Sequence, residues 1–213
     1  MPDGAQPNKP EALDLLKDET QQSRNFKTVS KIVADYHKTH TYVGRDIFVC
    51  GDMASDVWNA LITKGINAKI MIGNVEKDFL VEEPNHAWVM AEVSDGTWLA
   101  LETTGGFVVY LEDNGRYYRG HLFSNPKELR TYSDLQRDFA ATQRKYNEAW
   151  RDCEPKGIRF NRASQDEKVM LLDELNASLA LVDQRIGDLF RASVALKAFK
   201  TRTLCTNAPL PIR

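Results

Sequence analysis

The chain is short of cysteine, with three in 213 residues (Cys50, Cys153 and Cys205) and no CxxC pair. An odd, scattered set argues against a disulfide framework and against a structural zinc site. No apolar run reaches the roughly 18 residues of a membrane span, and no basic stretch followed by an apolar core opens the N-terminus. Excess charge is also lacking, since 28 Lys and Arg stand against 30 Asp and Glu. Without a basic block interleaved with aromatics, nucleic acid is not an expected partner. Internal repeats and low-complexity tracts are missing too. The length suffices for one sizeable core with an appended element. The compartment stays open: cytoplasmic, or extracytoplasmic with a signal segment outside this sequence.

Residues 1–10 read as a tail. Leu15, Leu16, Phe26, Val29, Ile32, Val33 and Tyr36 then fall mostly at helical spacing, giving one or two helices that end near His40. A further amphipathic helix is expected from Gly51 to Lys64, with Ala54, Val57, Trp58 and Leu61 on one face and Gly65 as its cap. Cys50 stands at its N-terminal edge. Four short β-prone runs follow, around residues 68–72, 87–93, 98–101 and 107–111, parted by Gly-, Asn- and Asp-bearing segments. Asp95-Gly96 between the second and third is a hairpin signal, which brings His86 and Glu102 side by side on neighbouring strands.

From Pro126 the pattern is helical again. Tyr132, Leu135, Phe139, Thr142, Tyr146 and Ala149 alternate steps of three and four. After an interruption holding Pro155 and Gly157, so do Leu172, Leu175, Leu179, Val182, Ile186, Leu189, Ser193 and Leu196. Two such helices joined by a Pro/Gly-bearing loop form an antiparallel hairpin. Leu171, Leu181, Phe190 and Val194 lie off the seam and call for a third surface, the sheet domain or a second copy of the chain. The expected architecture is α+β: a core over 11–125, a helical hairpin over 126–204 and a tail over 205–213.

A nucleophilic cysteine needs its thiolate, which a helix N-terminus and a neighbouring imidazolium both favour. Cys50 has the first by position. His86 is the candidate base, and Glu102 is placed to hold the other ring nitrogen. Cys153 and Cys205 read as small packed side chains. His37 and His40 read as a solvated helical face, and no metal or cofactor is expected. Asn176-Ala177-Ser178 matches a glycosylation acceptor but lies inside a helix and is set aside.

The segments Phe48-Val49-Cys50-Gly51-Asp52-Met53-Ala54, Gly65-Ile66-Asn67-Ala68-Lys69, His86-Ala87-Trp88-Val89 and Trp98-Leu99-Ala100-Leu101-Glu102-Thr103-Thr104 occur in that order. Together they resemble the prokaryotic transglutaminase-like family, a branch of the papain-related cysteine hydrolases. The resemblance covers residues 42–110. It implies a helix led by a nucleophilic cysteine and packed on a mostly antiparallel sheet. It also implies a Cys50-His86-Glu102 triad and acyl transfer from a peptide, isopeptide or other amide through a thioester. Where the family has aspartate and proline, this chain has Glu102 and Thr103. Trp88 and Trp98 are expected in the core or along the substrate cleft. The rival expectation is a catalytically inactive fold of this type that binds a protein or peptide through its hairpin.

Overall fold

A computed structural model describes residues 9–40, 47–77 and 84–205. Of the tails expected over 1–10 and 205–213, residues 1–8 and 206–213 lie outside them, whereas Lys9 and Pro10 belong to the first helix, Lys9–Thr39. Two compact units emerge: Met1–Leu129 with Thr203–Arg213, and Arg130–Arg202.

The first unit contains α1 (Lys9–Thr39), α2 (Ile47–Thr63), β1 (Ala68–Gly73), β2 (His86–Ser94), β3 (Thr97–Glu102), β4 (Phe107–Val109), a 3-10 helix (Gly115–Tyr118), β5 (Gly120–Phe123) and β6 (Leu204–Cys205). The strands form one antiparallel sheet in the order β4-β3-β2-β1-β5-β6. Cys205, expected to open a tail, pairs with Gly120 instead.

α1 is a single helix. It lays the fully buried Val29 and Val33, one turn apart, towards β2, β3 and β4. α2 buries Met53, Ala54, Val57 and Leu61 against β1 and β2, and the small Ala54 allows the close approach. Its end follows expectation: Gly65 has φ +73°, and the Gly65 and Ile66 amides fold back onto the carbonyls of Ile62 and Leu61. Its start does not, because α2 begins at Ile47 rather than Gly51. A short apolar run such as Ile47–Cys50 has no period that tells helix from strand. Cys50 is therefore the fourth residue of α2, at the close of its first turn.

Asp95-Gly96 makes the β2–β3 hairpin as expected, with Gly96 at φ +69°. Val89 pairs with Leu101, and continuing that register sets Glu102 opposite Trp88, with His86 two residues further along the same face. That face carries a core of Met71, Trp88, Met90, Trp98, Ala100, Val109, Tyr117 and Tyr118. β4 ends at Val109, two residues short of the apolar run, and the half-exposed Tyr110 and Leu111 leave the sheet. β5 was not expected. It is four residues long, too short for a period to show, and is held between β1 and β6.

The second unit is built on α3 (Pro126–Arg162) and α4 (Gln165–Thr203), which run antiparallel. Pairs on the two helices show the direction: Tyr132 meets Phe199, and Ala149 and Cys153 pack on Val182. Pro155 and Gly157 do not form the connection, since α3 runs through both. Pro155 is exposed, so the amide it lacks costs one hydrogen bond on the solvated side. The turn comes at Ala163-Ser164. There Ser164 and Glu167 form a reciprocal capping box that starts α4.

The α3 seam is the expected one. The α4 seam is half so: Leu175, Val182, Leu189 and Leu196 turn inward, whereas Leu172, Leu179 and Ile186 are exposed. The alternate positions that face α3 include the small residues Ser178 and Ala192. Ser178 lies deep enough to accept a hydrogen bond from Lys156 Nζ at 2.9 Å. Small side chains let the helix backbones approach, which decides between two seams of equal hydrophobic spacing.

Two glycines test this sheet. A Cβ on Gly120 would lie 2.2 Å from the Ile72 carbonyl oxygen, whereas one on Gly65 would meet nothing within 4 Å. Gly65→Ala is expected to cost about 1 kcal/mol, the price of a left-handed backbone. Gly120→Ala should cost at least twice that by separating β1 from β5. Urea unfolding checks both, and equal midpoints would remove the close-approach argument.

Candidate active site

Cys50, His86 and Glu102 come together in one cleft of about 620 Å³, whose lining also includes Val75, Glu76, Asn85, Thr104 and Tyr117. α2 supplies the thiol, the first residue of β2 the imidazole and the last residue of β3 the carboxylate. Cys50 is 2 % exposed and Glu102 4 %, so the group of three is shielded from bulk water.

His86 Nε2–H donates to Glu102 Oε2 at 2.6 Å. His86 also hydrogen-bonds Cys50, and with Nε2 taken by Glu102, Nδ1 is the ring nitrogen left for the sulfur. Burial pushes the imidazolium down, but the hydrogen bonds to Cys50 and Glu102 outweigh it and hold His86 at about 9. Burial likewise pushes the Glu102 carboxyl up, and the bonds from His86, Thr104 and Tyr117 reverse this and bring it to about 2.

A turn wraps the Glu102 carboxylate. Glu102 Oε1 accepts from the Thr104 amide (2.9 Å), the Thr104 hydroxyl (2.5 Å) and the Gly105 amide (3.2 Å). Oε2 accepts from Tyr117 OH at 2.6 Å as well as from His86. A Cβ on Gly105 would lie 2.3 Å from the Phe107 ring and 3.0 Å from Glu102 Cγ, so glycine leaves room for the folded side chain. Burial and the Glu102 charge push the Tyr117 hydroxyl far above its ordinary value, which keeps it a donor.

Trp88 and Trp98 lie beneath the cleft in the core, and its lining includes neither. Trp88 stacks on His86 with ring centres 6.0 Å apart, and its Nε1–H donates to the Tyr117 carbonyl at 2.8 Å. His121 is buried on β5 beside Thr203, 3.1 Å from its hydroxyl. His37 lies against Gly106, and His40 stacks on Tyr36. No group of three metal-ligating side chains occurs among the described residues, nor any helix long and apolar enough to cross a membrane.

Thr104, Tyr117 and Asn85 are site residues that sequence reasoning missed. Thr104 had a readable signal, since hydroxyl and glycine residues just after a carboxylate suit a turn that hydrogen-bonds it. Tyr117 arrives from the 3-10 helix and had none. Asn85 Oδ1 accepts the Val75 amide at 3.1 Å, which fixes the amide's orientation and turns its Nδ2 donors away from that bond. Comparison with family models, with curated proteins and with solved structures finds no match for this chain.

His86 binds its proton more tightly in the folded chain than in the unfolded one. Its contribution to stability is complete below 6.5 and is lost as pH rises through about 9. Glu102 binds its proton less tightly, so its contribution is complete above 4.5 and is lost as pH falls through about 2. In Glu102→Gln one of the two groups that offset burial loses its charge, and the Cys50 bond remains. The His86 titration midpoint, followed by NMR, should then fall below about 9. A midpoint that stays near 9 would show that Glu102 does not hold the imidazolium.

Proposed function

We propose that this chain is a transglutaminase-like cysteine hydrolase or acyltransferase that opens an amide bond through a thioester on Cys50. The observation that carries it is the buried relay in one cleft: Cys50 hydrogen-bonded to His86, and His86 Nε2 held at 2.6 Å by Glu102. The ordered sequence segments around those three residues support the same reading.

In the proposed reaction the Cys50 thiolate attacks the substrate carbonyl carbon. A C–S bond forms and the carbonyl electron pair moves to oxygen. Collapse of that oxyanion breaks the C–N bond, and His86 passes its Nδ1 proton to the departing amine. Water or a second amine then attacks the thioester, gives a proton back to His86 and releases Cys50. Water as acceptor makes a peptidase or amidase; an amine makes a transglutaminase. The bond opened is a peptide, isopeptide or other amide bond.

The oxyanion needs donors. With α2 beginning at Ile47, the Cys50 amide is the first that the helix's own ladder engages. Of the side chains lining the cleft, the Tyr117 and Thr104 hydroxyls are committed to Glu102. Among the described side chains lining the cleft, Asn85 Nδ2 is the donor left, and it takes the oxyanion role here.

Iodoacetamide labelling between pH 5 and 8, read by mass spectrometry, tests the thiolate. Cys50 should label at least tenfold faster than Cys153 and Cys205, and His86→Ala should abolish the difference. If Cys50 reacts no faster, the enzyme proposal is abandoned. Asn85→Asp keeps the acceptor for the Val75 amide and removes the donor. It should slow acylation by p-nitrophenyl acetate by roughly 10²- to 10³-fold, as should Asn85→Ala, while alkylation, which forms no oxyanion, changes little. Unchanged acylation, or parallel loss of both rates, would strip Asn85 of this role without touching Cys50.

A further inference from the structure

The outer face of α4 is apolar. Leu172, Leu179, Ile186, Phe190 and Val194 are between 44 % and 69 % exposed. Their steps of seven, seven, four and four keep them within roughly 80° of arc, about a third of a turn round the helix from the line that faces α3. Scattered exposed leucines are ordinary, but a continuous line of them along one helix marks a contact surface.

The charge along α4 indicates what covers it. Residues 165–184 hold five carboxylates against one lysine, and residues 185–203 hold five cations against one aspartate. α3 cannot complement both halves, because each of its own halves has a small positive excess. A second α4 laid antiparallel complements both at once. Laid parallel, it would set like charges together along its whole length.

We propose that the outer face of α4 is a homodimer interface in which two copies meet antiparallel about a two-fold axis at Leu179. With the axis there, Leu179 meets the partner's Leu179 and Leu172 the partner's Ile186, while Val169 and the partner's Phe190 lie one residue out of register. An axis four residues later brings Asp183 onto its own copy. The contact is isologous, as a two-fold requires, and closes at two chains. It rests on α4 alone and is independent of the chemistry at Cys50.

Analytical ultracentrifugation of the intact chain from 1 to 100 µM, a range chosen to bracket roughly micromolar affinity, should show a dimer. Leu179→Glu combined with Ile186→Glu should weaken it at least 100-fold. The circular dichroism spectrum should be unchanged, because both side chains lie outside the buried α3–α4 seam. Direction is read by oxidative coupling. Leu179→Cys, on the axis, should couple to its own copy, whereas Phe190→Cys, carried about 16 Å from the axis by its eleven-residue offset, should not. A monomer throughout that range, a dimer untouched by the double substitution, or self-coupling at both positions would each overturn the proposal.

Discussion

A buried carboxylate holds the first unit's site together. An ionised group removed from water is tolerable only when hydrogen bonds replace its hydration shell, and Glu102 collects five donors from four residues. Together they fix three pieces of chain. His86 brings the start of β2, Thr104 and Gly105 the turn after β3, and Tyr117 the 3-10 helix. Tyr117 in turn receives the Trp88 indole on its carbonyl, so the core of that sheet face and the cleft share one network. Breaking any one bond leaves a charge short of partners, which is why the pieces are held mutually rather than one by one.

The same network explains what the sequence could and could not disclose. The hairpin at Asp95-Gly96 is a local signal. From it, the adjacency of His86 and Glu102 follows by counting residues, and both were legible. Tyr117 reaches Glu102 across fifteen residues through a short helix with no period of its own, so nothing local announces it. The start of α2 was illegible for a different reason. Its first residues form an unbroken apolar run, and packing rather than pattern decides its conformation.

In the second unit the ambiguity is one of choice. Two lines of apolar residues on α4 share Leu175, Val182, Leu189 and Leu196, and hydrophobic spacing alone cannot rank them. The small residues on one line settle it by allowing α3 to come near, and the large ones are left on the outside. Pro155 makes the complementary point. A residue that ordinarily ends helices is carried within α3 because its missing hydrogen bond falls on the wet side, where water replaces it.

β6 is only Leu204–Cys205, yet it sits beside β5 in the same sheet that the chain left at Phe123. In connectivity, Arg130–Arg202 is therefore an insertion between two neighbouring strands, β5 and β6. Such a module can lengthen, shorten or diverge in evolution without disturbing strand order. The sheet still depends on its return, because without Leu204–Cys205 the backbone of β5 would become an open edge, ready to pair with another chain.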